Sequence, residues 1–238
     1  MAGKFTNKVA LITGGTGGLG RAVTLAFLHE GASVIATYIK KGEAEALKDS
    51  VGPNAKLEVL PLDATDEAAC RALVDGITAR HGRLDILVNT IGGYAGGKAL
   101  WETDPKTYQL MMSLNANAGF NVASTVIPAM LKQKSGAIVN IAAKAAFDHA
   151  AGASAYAASK AAALALFDCL AQDVKGSGVR VNSVLPSIID TEPNRKAMPD
   201  ADFSKWPKPE QIAQVILFLC SDEAKVVHGA AIPVYGES

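Results

Sequence analysis

The chain has 238 residues, 49% of them hydrophobic, enough to bury one sizeable core within the size range of a single α/β domain. Its 23 Lys and Arg balance its 23 Asp and Glu, neither sign forms a block, and the aromatic residues are few and scattered, which excludes the usual footprint of a nucleic-acid partner. Met1–Lys8 is polar and lacks the apolar region of a signal peptide, and no apolar run approaches bilayer length, so the expected setting is cytoplasmic, with no membrane.

Apolar runs of strand length alternate with longer helical patterns. In chain order the predicted strands are Val9–Thr13, Ser33–Thr37, Lys56–Leu62, Ile86–Asn89, Ala137–Ile141, Arg180–Leu185 and Ala230–Val234. Several carry Val, Ile or Leu at nearly every position, as strands covered on both faces do. The helical stretches lie near 18–30, 43–51, 66–80, 105–133, 154–175 and 209–221. This rhythm predicts a parallel, doubly wound sheet with right-handed crossovers. The one long irregular segment runs from Pro186 to Pro209, and a lid is expected at about 187–208. Within it, Phe203 and Trp206 are expected to anchor the lid to the body.

The three cysteines, Cys70, Cys169 and Cys220, sit far apart in helical patterns and read as buried thiols. The histidines, His29, His81, His149 and His228, show no ligand spacing, so no metal site is expected. His29 and His81 fall near helix C-termini, where partial positive charge is favourable.

The first strand ends in Thr13-Gly14-Gly15-Thr16-Gly17-Gly18-Leu19-Gly20, and a helix follows. Dinucleotide binding requires a tight turn, close approach of backbone to pyrophosphate, and a helix N-terminus facing the negative charge. In this strand–turn–helix context the glycines point to such a site. The expected fold is therefore α/β, a Rossmann-type doubly wound three-layer (αβα) sandwich with a seven-stranded parallel sheet, forming one domain over 1–238. An acid ending the second strand would bind the ribose hydroxyls of NAD, but this strand runs Ala36-Thr37-Tyr38-Ile39-Lys40-Lys41. Lys40 and Lys41 either attract a 2′-phosphate or form an ordinary solvated loop, and NADP is favoured over NAD. Asp63 ends the third strand, where its carboxylate would accept from the adenine amino group; Thr65 and Asp66 are better placed to cap the next helix.

Tyr156 and Lys160 are four residues apart on a helical pattern and share a face. A free phenol, with a pKa near ~10, shuttles protons poorly at neutrality. A nearby cation would lower that value, and the Tyr could then supply the proton that a carbonyl oxygen needs when hydride arrives at carbon.

Together these pieces resemble the short-chain dehydrogenase/reductase family over essentially the whole chain. The shared residues are Thr13-Gly14-x-x-x-Gly18-x-Gly20, Asp63, Asn89-Thr90-Ile91-Gly92, Asn115, Tyr156-x-x-x-Lys160, Asn182-x-Val184-x-Pro186 and the closing Gly229–Gly236. The resemblance implies that Tyr156 is the acid/base, that Lys160 also binds the nicotinamide ribose, and that Asn115 holds a water in a proton relay. It completes the cofactor set with Thr16, Gly17, Leu19, Tyr38, Lys40, Ala64, Asn89, Gly92, Tyr156 itself, Pro186, Ile189 and Thr191. It also implies a homodimer or homotetramer through the fourth and fifth helices.

Two departures stand out. Asn89-Thr90-Ile91-Gly92 replaces the usual Asn-Asn-Ala-Gly, and Ala143 stands where the family places a Ser that hydrogen-bonds the substrate oxygen. Ser154 is a poor substitute, since residues two apart on a helix do not share a face. Lys144 either approaches the site or is a solvated loop lysine. Dihydropteridine reductases, one branch of the family, also lack the Ser and carry a similar Ala-Lys-Ala-Ala segment. They further resemble this chain at Gly92-Gly93-Tyr94-Ala95-Gly96-Gly97 and through the lid, including Asn194-Arg195-Lys196-Ala197-Met198-Pro199. Those enzymes typically prefer NADH and have an acid after the second strand, and the N-terminal half here looks more like acyl-carrier or carbonyl reductases. The resemblance implies a small-molecule substrate, a pterin or other conjugated ring, met by Tyr94, Ala143 and Asn194. A generic carbonyl or 3-oxoacyl reductase or alcohol dehydrogenase is the alternative, and a dinucleotide-binding sensor without turnover is a third.

Overall fold

The computed structural model describes residues 3–238. Seven strands form one parallel sheet: β1 (Val9–Thr13), β2 (Ser33–Tyr38), β3 (Leu57–Pro61), β4 (Ile86–Asn89), β5 (Gly136–Ile141), β6 (Val179–Pro186) and β7 (Ala231–Val234). Their order is β3-β2-β1-β4-β5-β6-β7, every neighbouring pair parallel. The chain first winds outward from β1 to β3, then returns and winds the other way from β4. The reversal lies between β1 and β4, and the crevice beyond the carboxyl ends of these strands is where such sheets take ligands.

Eight α-helices cover the sheet: α1 (Gly18–His29), α2 (Lys41–Asp49), α3 (Glu67–His81), α4 (Pro105–Met112), α5 (Ala118–Gln133), α6 (Ser154–Asp173), α7 (Glu192–Ala197) and α8 (Pro209–Cys220). Alternate strand residues feed two cores. Leu11, Leu87 and Ile138 pack with α3, α5 and α6 around Ile77, Val126 and Phe167. Ile12, Val88 and Val139 pack on the other face with α1 and α8 around Phe27 and Ile216. The strands read as continuously apolar because both faces are buried. At this level of burial each Leu, Ile or Phe contributes roughly 1.5–3 kcal/mol.

Several expectations shift. The predicted helix over 105–133 divides: a widened π-type turn, Ser113–Asn117, separates α4 from α5. The predicted irregular lid contains α7 and a short 3-10 turn, Phe203–Lys205. Its anchor is as expected: Trp206 is buried and its ring lies 4.9 Å from that of Phe203. Cys70 and Cys220 are buried, but Cys169 is exposed, because it falls on the outer face of α6. Asp66 caps α3 by accepting from the backbone of Ala68 and Ala69. His29 and His81 end α1 and α3.

Candidate active site

The glycine turn brings backbone where side chains would obstruct. Gly14 has φ +69°, a left-handed conformation that disfavours any Cβ. A Cβ on Gly20 would stand 2.1 Å from the Gly14 carbonyl oxygen, and one on Gly18 would stand 2.9 Å from the Thr191 methyl. The second contact sets the base of the lid directly against the turn. Helix α1 begins at the N-cap Gly17 with no side-chain cap and no acid in its first turn. Its free N–H groups and dipole therefore face the crevice, which fits the diphosphate of a dinucleotide.

Thr90 accounts for one sequence departure. Its hydroxyl donates to the Thr13 carbonyl at 2.6 Å and packs against the turn, 2.8 Å from where a Gly20 Cβ would be. Asn89 is spent inside the sheet, accepting from Thr13 Oγ1 at 2.9 Å and donating to Asn140 Oδ1 at 3.1 Å. Only its backbone is free to meet a cofactor. Asp63 is exposed and accepts from the Thr65 backbone and hydroxyl, bonds that hold its carboxyl below the usual range. Ala64 is buried beneath it, and Tyr38 packs beside Ala44 and Leu47.

The residues expected to handle the proton converge from three elements. Helix α6 carries Tyr156, Ser159 and Lys160, and its alanines permit close packing: Ala155, Ala157 and Ala163 are buried. Lys160 is 5% exposed, and its ammonium donates to the Ile141 carbonyl at the end of β5, 2.9 Å away. Burial without a carboxylate partner lowers its pKa to about 8. Burial, then the neighbouring Tyr94 phenol, pushes Tyr156 up to about 12. This reverses the expectation that Lys160 depresses the phenol; here the ammonium is engaged by the Ile141 carbonyl, and desolvation of the phenolate governs. Tyr156 is consequently protonated at neutral pH.

Asn115 lies in the π-type turn, a feature that recurs at functional sites. Its side chain is bonded at both ends: Oδ1 accepts from Gly93 N at 2.9 Å, and Nδ2 donates to Gly93 O at 3.0 Å and to Ser159 Oγ at 2.9 Å. Ser159 in turn donates to the Tyr156 carbonyl at 2.7 Å. Asn115 thus clamps the 92–97 loop to α6. Gly92 is obligatory in this clamp, since its Cβ would lie 2.8 Å from Asn115 Oδ1 and 3.0 Å from Lys160 Nζ. Ser159 has no part in the sequence expectations; its place three residues after Tyr156 on a helix is the signal that could have found it.

On the substrate side, the exposed Tyr94 sets its ring edge against Tyr156, 5.0 Å between centroids. Ala143 is buried and extended, and no hydroxyl stands there. Lys144 turns to Tyr235, with its ammonium 5.2 Å from the ring centroid, and to Asp148 at 3.7 Å. Asn194 donates to the Ile189 carbonyl inside the lid, so its amide braces α7. Pro186, at the end of β6, is buried, and Ile189 packs against the α1–α8 core. Among the described residues, no group of three or more His, Cys, Asp or Glu is arranged to hold a metal ion.

One acid was missed. Glu43, in the first turn of α2, accepts from Thr16 Oγ1 at 3.3 Å and pairs with the Lys40 ammonium at 3.1 Å. It stands beyond the strand end where the dinucleotide pattern places an acid.

The family model for short chain dehydrogenases matches residues 8–202. The chain belongs to that family. It is 35% identical to a 3-oxoacyl-[acyl-carrier-protein] reductase of Thermotoga maritima, covering 98% of each chain. It is 32% identical to a meso-2,3-butanediol dehydrogenase of Serratia marcescens, covering 98% of this chain and 95% of the relative. Among solved structures, levodione reductase superposes with a TM-score of 0.91 at 28% identity, covering 98% of this chain and 97% of that one. A short-chain dehydrogenase/reductase from Mycobacterium ulcerans gives a TM-score of 0.92 at 28% identity, covering 98% and 90%. The protein is accordingly an oxidoreductase of the short-chain dehydrogenase type, and its all-parallel sheet has that family's fold. Among the described residues, no helix is long and apolar enough to cross a membrane.

Proposed function

We propose that this oxidoreductase reduces a small conjugated substrate with a nicotinamide dinucleotide, in the manner of a dihydropteridine reductase. The bound dinucleotide would supply hydride from its nicotinamide. The glycine turn and the N-terminus of α1 would hold its diphosphate, Asp63 and Ala64 its adenine end, and Lys160 its nicotinamide ribose, with Thr191 closing from the lid. Lys40 and Lys41 support NADP over NAD. Tyr156 donates the proton from its hydroxyl, Lys160 keeps positive charge behind it, and Asn115 fixes the loop that carries Tyr94.

The observation that carries the substrate class is the Ala143–Tyr94 pairing: no hydroxyl where a ketone oxygen would need one, and an aromatic ring beside the proton donor. A conjugated imine receiving hydride spreads its charge over the ring and requires no isolated alkoxide to be stabilised. Ring stacking on Tyr94 would orient it. A second reading, a 3-oxoacyl or carbonyl reductase, is favoured by the 35% identity to the Thermotoga enzyme over nearly the whole chain.

A cytoplasmic setting goes with the proposal, consistent with three unbridged thiols. So does a homodimer or homotetramer, supported by the exposed Phe120, Leu131 and Leu166 on α5 and α6. The test is a steady-state assay of the purified chain with NADH and NADPH against quinonoid dihydropterin, a 3-oxoacyl thioester and simple ketones. Turnover of the dihydropterin at a kcat/KM well above the others is expected. Turnover of the thioester with none of the dihydropterin would establish the second reading instead.

A further inference from the structure

We infer that Glu43 is a specificity residue that opposes a 2′-phosphate on the adenine ribose, and that the Lys40–Glu43 pair, beyond the end of β2, sets how strongly the two dinucleotides are told apart. The inference rests on the dinucleotide reading of the glycine turn.

Glu43 bridges two pieces of that region. One carboxylate oxygen accepts from Thr16, a buried residue within the turn, and the other lies on the Lys40 ammonium just past β2. In sheets of this type the adenine ribose lies between the first turn and the end of the second strand, where an acid favours the 2′-hydroxyl and a cation the 2′-phosphate. Here both charges are present and already joined. The 2′-hydroxyl of NAD can donate to Glu43 with the pair intact. A 2′-phosphate must draw Lys40 away and then stand beside an uncompensated carboxylate. Lys40, 78% exposed on a long flexible stem, is free to move. Glu43 is less free, at 40% exposure and tethered to Thr16. The lysines therefore admit the phosphate while Glu43 limits the gain.

The test is calorimetric titration of the full chain with adenosine 2′,5′-bisphosphate and with 5′-AMP, needing no turnover. Glu43→Gln should tighten the bisphosphate about tenfold, as expected for removing a like charge at close range near a protein surface, and change 5′-AMP by no more than about twofold. Glu45→Gln, the same charge change on an exposed position of the same helix, should alter the ratio little. Lys40→Met should weaken the bisphosphate several-fold. An unchanged ratio in Glu43→Gln, or equal shifts in Glu43→Gln and Glu45→Gln, would overturn the inference. Failure of the parent chain to bind either nucleotide would instead remove the dinucleotide reading on which it rests.

Discussion

The two halves of the crevice are built from different material. The nucleotide half, over β1 and β2, is mostly backbone: Gly15 and Gly20, where a Cβ would meet the main chain, and a helix end with no side-chain cap. The substrate half, over β4 to β6, is mostly side chain: Tyr156, Ser159 and Lys160 from α6, Asn115 from the π-type turn, and Tyr94 and Ala143 from loops. A backbone site tolerates almost no substitution but is indifferent to what is reduced. A side-chain site can be retuned by single residues without disturbing the fold. Ala143 beside a Tyr156–Lys160 pair is what such a division would allow.

The comparison can be broken most severely in the nucleotide half. Gly20→Ala drives a Cβ into the Gly14 backbone, which cannot yield without opening the turn, and dinucleotide affinity should fall on the order of a hundredfold. Gly18→Ala meets only the Thr191 methyl, so titration should show a far smaller loss. Equal losses in the two variants would contradict a site made of backbone.

In the substrate half the matching change is a gain. Ala143→Ser restores a hydroxyl at the mouth, and its kcat/KM for simple ketones should rise on the order of a hundredfold if the oxygen donor is what the site lacks. No rise would mean that something else excludes ketones.

A pH profile sharpens the role of Lys160. Its pKa is lowered to about 8, so its positive charge is present below that pH and lost above it. Reduction that depends on the cation should decline about tenfold per unit once pH passes through about 8. Tyr156, raised to about 12, remains protonated throughout and adds no limb of its own in that range. A kcat/KM flat to pH 10 would contradict the assignment.

The smallest effect concerns Tyr94. Its replacement by Ala should raise KM for a flat ring substrate several-fold, in line with about 0.5–1.5 kcal/mol for an aromatic pair, with little change for an aliphatic ketone. Equal effects on both would make Tyr94 a support for Tyr156 and not a platform.

The same division explains what could be read in advance. Strands buried on both faces announce themselves as apolar runs, and the glycine turn as a local pattern, so the sheet and nucleotide half were legible. Tyr156 and Lys160 were legible because helical spacing alone puts them on one face. The π-type turn was not, since the phase shift made by one extra residue in a turn does not stand out in a stretch as mixed as Ser113–Asn117. Nor was the Asn115–Gly93–Ser159 clamp, which joins elements distant in sequence. Glu43 was not legible because it stands on the following helix, and the pKa of Tyr156 because desolvation depends on tertiary packing.

The central claim is that binding and proton transfer reside in separable halves, and Tyr156→Phe tests it most directly. Turnover and dinucleotide affinity should be measured on the same preparation. Tyr156 stands on α6 and forms no hydrogen bond with the glycine turn, so affinity should stay within about threefold, while kcat should drop by roughly a hundred- to ten-thousandfold. Turnover that survives the substitution, or affinity that falls with it in equal measure, would contradict the account.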